Sequence, residues 1–173
     1  IFGMSLYSSN SKVKFLVQAA LIAAAYAALT YSGFAFAYGP IQFRYSEALI
    51  AFATLTPAAI PGLTIGCILS NLGSAQLGIY DIVFGSLATL LAALFAYLFR
   101  KIRVRGMPLL SLAGNVVFNA FIIAGMIVLV AGTPELFWIN VVQIFVSELA
   151  ATYALGLPLF LLMDRLNRKY HMF

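Results

Sequence analysis

Five acidic residues stand in a chain of 173 whose hydrophobic share is 64%. Glu47, Asp81, Glu135 and Glu148 fall inside or beside long apolar runs. A carboxylate in such surroundings is costly to keep and usually faces a cavity or a partner. Gln42, Arg44 and Glu47 lie in Gly39-Pro-Ile-Gln-Phe-Arg-Tyr-Ser-Glu47, an aromatic-rich stretch that includes Phe43. Such a set can cover a small planar ligand, with aromatics on its faces and polar groups on its edges. A local role fits the same residues: Ser46 as a helix cap, Glu47 at the positive helix end, Arg44 reaching towards headgroups.

Two further polar rows follow. Asn115 and Asn119 are spaced i, i+4 and share a helix face. Asn140, Gln143, Ser147 and Glu148 fall at i, i+3, i+7 and i+8, again one face, in a run that is otherwise apolar. This stripe is expected to point into a bundle, where it lines a pocket or glues helices together. Asn71 offers both a donor and an acceptor and fits either role. Asp81 precedes Ile82-Val-Phe and reads as a helix N-cap or a site carboxylate. Glu135 follows Thr133-Pro134, a cap-then-proline helix start. A single cysteine, Cys67, and a single histidine, His171, leave no basis for an internal disulfide or a Cys/His zinc site. No catalytic group, metal or cofactor is expected.

The elements that position these residues belong to a membrane. Charged residues make up 9% of the chain and mean hydropathy is +1.03, whereas soluble domains carry about a quarter charged residues. This excludes a soluble globular enzyme, a disordered chain and a nucleic-acid-binding module. Apolar runs cover Phe15–Tyr31, Ser46–Leu55, Leu63–Leu72, Ile82–Phe99, Pro108–Ala131 and Leu136–Met163. A straight crossing takes about 20 residues, so the second and third runs, flanking Thr56-Pro-Ala-Ala-Ile-Pro-Gly62, are short or broken. The expected fold is all-α and polytopic, with six transmembrane helices over residues 14–164 and short tails at 1–13 and 165–173. The first run follows Lys12 and Lys14 without a processing site, so it reads as a span and not a cleaved leader.

Six spans place nine of the ten basic residues on one side and Arg44 alone on the other. The positive-inside rule makes that side cytoplasmic and puts both chain ends there. The basic excess then marks orientation and requires no anionic ligand. The acids fall in the outer half or near the midplane, except Asp164, so a polar site open to the outside is expected. On the first helix, Ala19, Ala23 and Ala27 form one small-residue line and Ala20, Ala24 and Ala28 a second. Such lines let a helix approach closely, from this bundle or from a partner.

Phe36-Ala-Tyr-Gly-Pro-Ile-Gln-Phe-Arg-Tyr-Ser-Glu-Ala-Leu49, Thr56-Pro-Ala-Ala-Ile-Pro-Gly-Leu-Thr-Ile-Gly-Cys67 and Asp81-Ile-Val-Phe-Gly-Ser-Leu-Ala-Thr89 resemble the QueT family of queuosine-precursor transporters. Val117-Phe-Asn-Ala120, Ser147-Glu148 and Gly156-Leu-Pro158 agree, and the likeness runs from about Lys14 to Asp164. The resemblance implies a substrate-binding S component of an energy-coupling factor (ECF) transporter in the bacterial cell membrane. It implies a membrane T subunit and two cytoplasmic ATPases as partners, the T subunit meeting the alanine lines. The chain itself has no Gly-rich Lys-Ser/Thr phosphate loop. The implied ligand is a 7-deazaguanine base. Glu148 or Glu47 suits its amidine edge as a bidentate acceptor; Asn71, Asn119 or Gln143 suits its carbonyl; Phe43, Tyr45 and Trp138 suit its faces. Two acids exceed what a nitrile-bearing base needs, and the second suits a cationic aminomethyl precursor or queuine. An S component for another small vitamin, or an assembly subunit whose polar rows are glue, remain the other readings.

Overall fold

The computed structural model describes residues 2–33, 43–73 and 78–170. Gln42, Phe36 and His171 lie outside the described residues. Six helices carry the chain: α1 (Phe2–Ser32), α2 (Tyr45–Thr54), α3 (Ala59–Asn71), α4 (Asp81–Leu98), α5 (Leu109–Ala131) and α6 (Pro134–Tyr170). Four of them contain apolar stretches long enough to cross a membrane. No named strand occurs among the described residues. Helix α1 continues through the segment read as an N-terminal tail, and α6 runs through Tyr170 into the segment read as the C-terminal tail.

Helix α2 is a 3₁₀-helix of 10 residues, long for that type. Its small side chains, Ala48, Ala51 and Ala53, are buried among the other helices. At about 2.0 Å per residue a 3₁₀-helix stretches this segment to roughly 20 Å, against about 15 Å for an α-helix. The tighter winding lets a short segment reach further through the bundle. Arg44 precedes this helix in extended backbone, and Glu47 sits in its first turn.

α1 and α3 run in the same direction and touch closely. A Cβ on Gly62 would lie 2.8 Å from the Ala19 carbonyl oxygen, and one on Gly66 would lie 2.9 Å from that of Ala23. Thr56 Oγ1 bonds Gln18 at 3.1 Å at one end of this pair, and Tyr31 donates to the Leu69 carbonyl at 3.0 Å at the other. Ala88, Ala92, Ala93 and Ala96 of α4 are likewise buried, beside Ala120 and Ala124 of α5. Small residues thus bring backbones together where lipid supplies no hydrophobic drive between helices.

Asn71 ends α3 beside the start of α4, so the turn at 99–108 lies at the opposite end of the bundle. There Arg103 pairs with Asp164 at 3.4 Å and Arg168 with the same carboxylate at 2.8 Å. Since α1 runs parallel to α3, Lys12 and Lys14 belong to this end too. The basic residues other than Arg44 therefore gather at one end. Within the turn, Val104 and Met107 exchange both backbone hydrogen bonds across Arg105-Gly106. Arg105 has φ 52°, a left-handed conformation unfavourable for a side chain with a Cβ. Arg105→Asn is expected to raise stability by about 1 kcal/mol, since asparagine adopts that region more readily. Denaturant unfolding of the purified protein in micelles would show it; an unchanged or lower midpoint would contradict it.

Helix α6 is not a plain α-helix. Residues Ala150–Leu155 form a π-helical turn between two α-helical stretches. It lies just before Pro158, whose missing N–H leaves a carbonyl without its helical donor. The turn falls between Glu148 and Pro158. A second π turn, Asp81–Gly85, opens α4. Such turns are frequent at functional sites, and both border the polar interior.

Candidate functional site

Four helices direct polar side chains to one place. From α2 and the residue before it come Glu47 and Arg44, from α5 Asn115 and Asn119, and from α6 Glu148 and Thr152; α1 adds Tyr26 and Thr30. All eight are buried. The Tyr26 hydroxyl donates to Glu47 Oε1. Thr30 Oγ1 lies 2.9 Å from the Tyr26 carbonyl, to which it donates, and 2.8 Å from Ser46 Oγ. Asn115 Nδ2 donates to Glu148 Oε2 at 3.0 Å and to Thr152 Oγ1 at 2.9 Å. Asn119 Nδ2 donates to the Asn115 carbonyl at 3.0 Å and to Asn115 Oδ1 at 3.1 Å. These bonds fix both amide orientations and hold each carboxylate from one side, leaving acceptor capacity on the other.

Arg44, Glu47, Asn119, Glu148, Ile123 and Ile144 line a small cavity of about 10 Å³. Arg44 is within electrostatic reach of Glu47 and Asp81, and Glu148 within reach of Arg44 and Glu47. One guanidinium thus faces three carboxylates in a setting where water cannot screen them. Such a group is kept where it binds or couples something. No cluster of metal-ligating side chains occurs among the described residues.

The structure brings together Arg44, Glu47, Asn119 and Glu148 of the sequence-predicted residues. Asn71 and Asp81 adjoin them: Asn71 Nδ2 donates to the Asp81 carbonyl at 2.8 Å and lies 3.4 Å from Cys67 Sγ. Asp81 is not a cap, because the helix already runs through Tyr80; its side chain is buried in the first π turn. Ser46 is no cap either, since its hydroxyl meets Thr30.

Trp138 and Gln143 do not join the cluster. Trp138 is 67% exposed and Gln143 is exposed on the outer face of α6. The polar stripe on α6 therefore splits: Ser147 and Glu148 point inward, Gln143 outward, with Asn140 half-buried. Phe43 is half-buried and packs edge-on against Tyr45, their centroids 5.2 Å apart. Gln42 is outside the described residues. The alanine lines also part: Ala19 and Ala23 are taken up by α3, Ala27 is half-buried, and Ala20, Ala24 and Ala28 are exposed.

Residues missed from sequence were Tyr26, Thr30 and Thr152. Each carried a signal, because Tyr26/Thr30 and Glu148/Thr152 are i, i+4 pairs like Asn115/Asn119. The apolar walls, Ile123 and Ile144, had none.

A polytopic helical membrane protein with a buried, charged void inside the bundle is the class that this fold and site define. More narrowly, the chain belongs to the QueT transporter family, whose profile matches residues 16–165. It is a multi-pass protein of the bacterial cell membrane. It is similar to the queuosine precursor transporter QueT of Lactococcus lactis subsp. cremoris (strain MG1363), 41% identical over 83 residues. That alignment covers 47% of this chain and 48% of the relative, about half of its length. No solved structure matches.

Proposed function

We propose that this chain is the substrate-binding S component of an ECF importer and captures a queuosine precursor, a 7-deazaguanine base. The observation that carries the reading is the void walled by Arg44, Glu47, Asn119 and Glu148. A carboxylate there accepts the paired N–H donors of the base's amidine edge, and the Arg44 guanidinium donates to its carbonyl. Ligand sites usually measure about 300–1,000 Å³, so entry of a bicyclic base requires the isoleucines and Arg44 to draw back. The basic end of the bundle faces the cytoplasm and the end bearing Arg44, Asn71 and Asp81 faces outside. Import is driven by a T subunit and two ATPases. The T subunit docks on the α1 face that presents Ala20, Ala24 and Ala28, which lies clear of α3.

Mass spectrometry of ligand extracted from the purified chain tests this directly. A 7-deazaguanine base is expected; a pterin, flavin or thiamine compound with no deazapurine would overturn the substrate. Glu148→Gln is expected to weaken binding of any such base about 10–100-fold, the effect of a hydrogen bond to a charged group. Equilibrium binding at fixed pH reads it, and an unchanged affinity would remove Glu148 from the site.

A further inference from the structure

Asn71 holds a buried acceptor that no described residue satisfies. The residue is 1% exposed, and its Oδ1 has no hydrogen-bond partner among the described residues. The orientation of the amide is set by its other half, since Nδ2 is engaged by the Asp81 carbonyl at 2.8 Å. Turned over, the amide would set oxygen against oxygen. Gly85 makes room for this seat, because a Cβ there would lie 2.7 Å from Asn71 Nδ2. An unmet buried acceptor is rare in native proteins and calls for a specific donor.

The residue that fixes Asn71 also carries a carboxylate. Asp81 is 2% exposed and is drawn into the bundle by the π turn it opens. Its charge reaches Arg44, which ties this corner electrostatically to the void at Glu47 and Glu148. The two corners differ in chemistry. Glu47 and Glu148 are forked acceptors, held by Tyr26 and Asn115 among the described residues, and suit a planar amidine. An amide oxygen and a carboxylate on separate elements suit the diverging donors and positive charge of a primary ammonium.

We propose that Asn71 and Asp81 form a second subsite that binds the ammonium of an aminomethyl side arm, so that this pair selects amine-bearing over nitrile-bearing bases. The proposal rests on the functional reading above and assigns the amine to Asp81 instead of the second of Glu47 and Glu148. The assignment requires a base seated at the cavity to reach this corner with its side arm past Arg44.

The test measures equilibrium binding of 7-aminomethyl-7-deazaguanine and 7-cyano-7-deazaguanine to the purified full chain and its variants. Wild type is expected to favour the aminomethyl base by about 10–100-fold, as for a charge-assisted contact. Asp81→Asn, nearly isosteric, should bring that ratio close to one by weakening the aminomethyl base far more than the cyano base. Asn71→Ala should lower the ratio as well, and its unfolding midpoint shows whether it is folded; if it is not, Asp81→Asn decides. Glu148→Gln should weaken both bases alike and keep the ratio. A wild type that does not discriminate, or an Asp81→Asn variant that keeps the full ratio or loses both bases equally, overturns the subsite. If wild type binds neither base, the functional reading falls and takes this assignment with it.

Discussion

Arg44→Met is expected to cost the fold about 3–5 kcal/mol and to lower affinity for the captured base by at least about 100-fold. The guanidinium is 6% exposed and is the cation that faces Glu47, Asp81 and Glu148. Methionine fills much of the same volume, so the change removes charge and donors and leaves little cavity. The carboxylates then remain buried with their counter-charge gone, which is the costly half of breaking a buried pair. Denaturant unfolding in micelles reads the first effect and equilibrium binding the second. The double variant Arg44→Met/Glu47→Gln is expected to recover part of the stability, because it removes one stranded charge together with its partner. It should not recover binding, since both groups wall the proposed site. An Arg44→Met protein as stable as wild type would mean that the acids are balanced elsewhere and that the guanidinium is not their counter-ion.

The charged heart of this site was legible because charge is so rare in the chain. Glu47, Glu148 and Arg44 stand out in an apolar sequence, and the cost of burying them points inward. Asn119 followed from its spacing with Asn115. Gln143 and Trp138 stand apart from the charged cluster for a reason that belongs to membranes. In water the apolar face of a helix marks the interior. In lipid both faces are apolar, and only a narrow arc of α6, that of Ser147 and Glu148, meets the other helices. Position i+3 from Asn140 lies outside that arc, so the stripe read as one face divides: Glu148 is buried, while Gln143 is exposed on a groove it lines with Phe43 and Ser147.

Backbone geometry was less legible than side-chain identity. The apolar run at 46–55 fits an α-helix or a 3₁₀-helix equally well, and only the span it must bridge in the bundle selects the stretched form. The π turn at Ala150–Leu155 has Pro158 just after it, but nothing in the apolar pattern marks a change of winding. Likewise, spacing alone assigns neither alanine line to a partner. The deciding complement was in α3, where Gly62 and Gly66 are also four apart and lie against Ala19 and Ala23. Two small lines that match in period pack together, which leaves the Ala20 line as the free one.

That match makes Gly66→Leu the second large expected effect: a loss of about 3 kcal/mol or more, with the binding site lost alongside. A Cβ at Gly66 would lie 2.7 Å from Tyr26 Cβ, 2.9 Å from the Ala23 carbonyl oxygen and 3.1 Å from Ala23 Cα. Two of these three atoms are backbone, so no rotamer change relieves the clash and α1 must move away from α3. Tyr26 moves with α1, and its hydroxyl is the donor that holds Glu47. The packing defect therefore reaches the carboxylate through one helix turn, although Gly66 itself carries no polar side chain. Gly125→Ala is the control, because a Cβ there meets nothing within 4 Å and should be neutral or stabilise by up to about 1 kcal/mol through helix propensity. Unfolding midpoints and base affinity measured on both variants separate the two cases. A Gly66→Leu protein that unfolds at the wild-type midpoint would show that α1 and α3 do not approach as closely as their small residues permit.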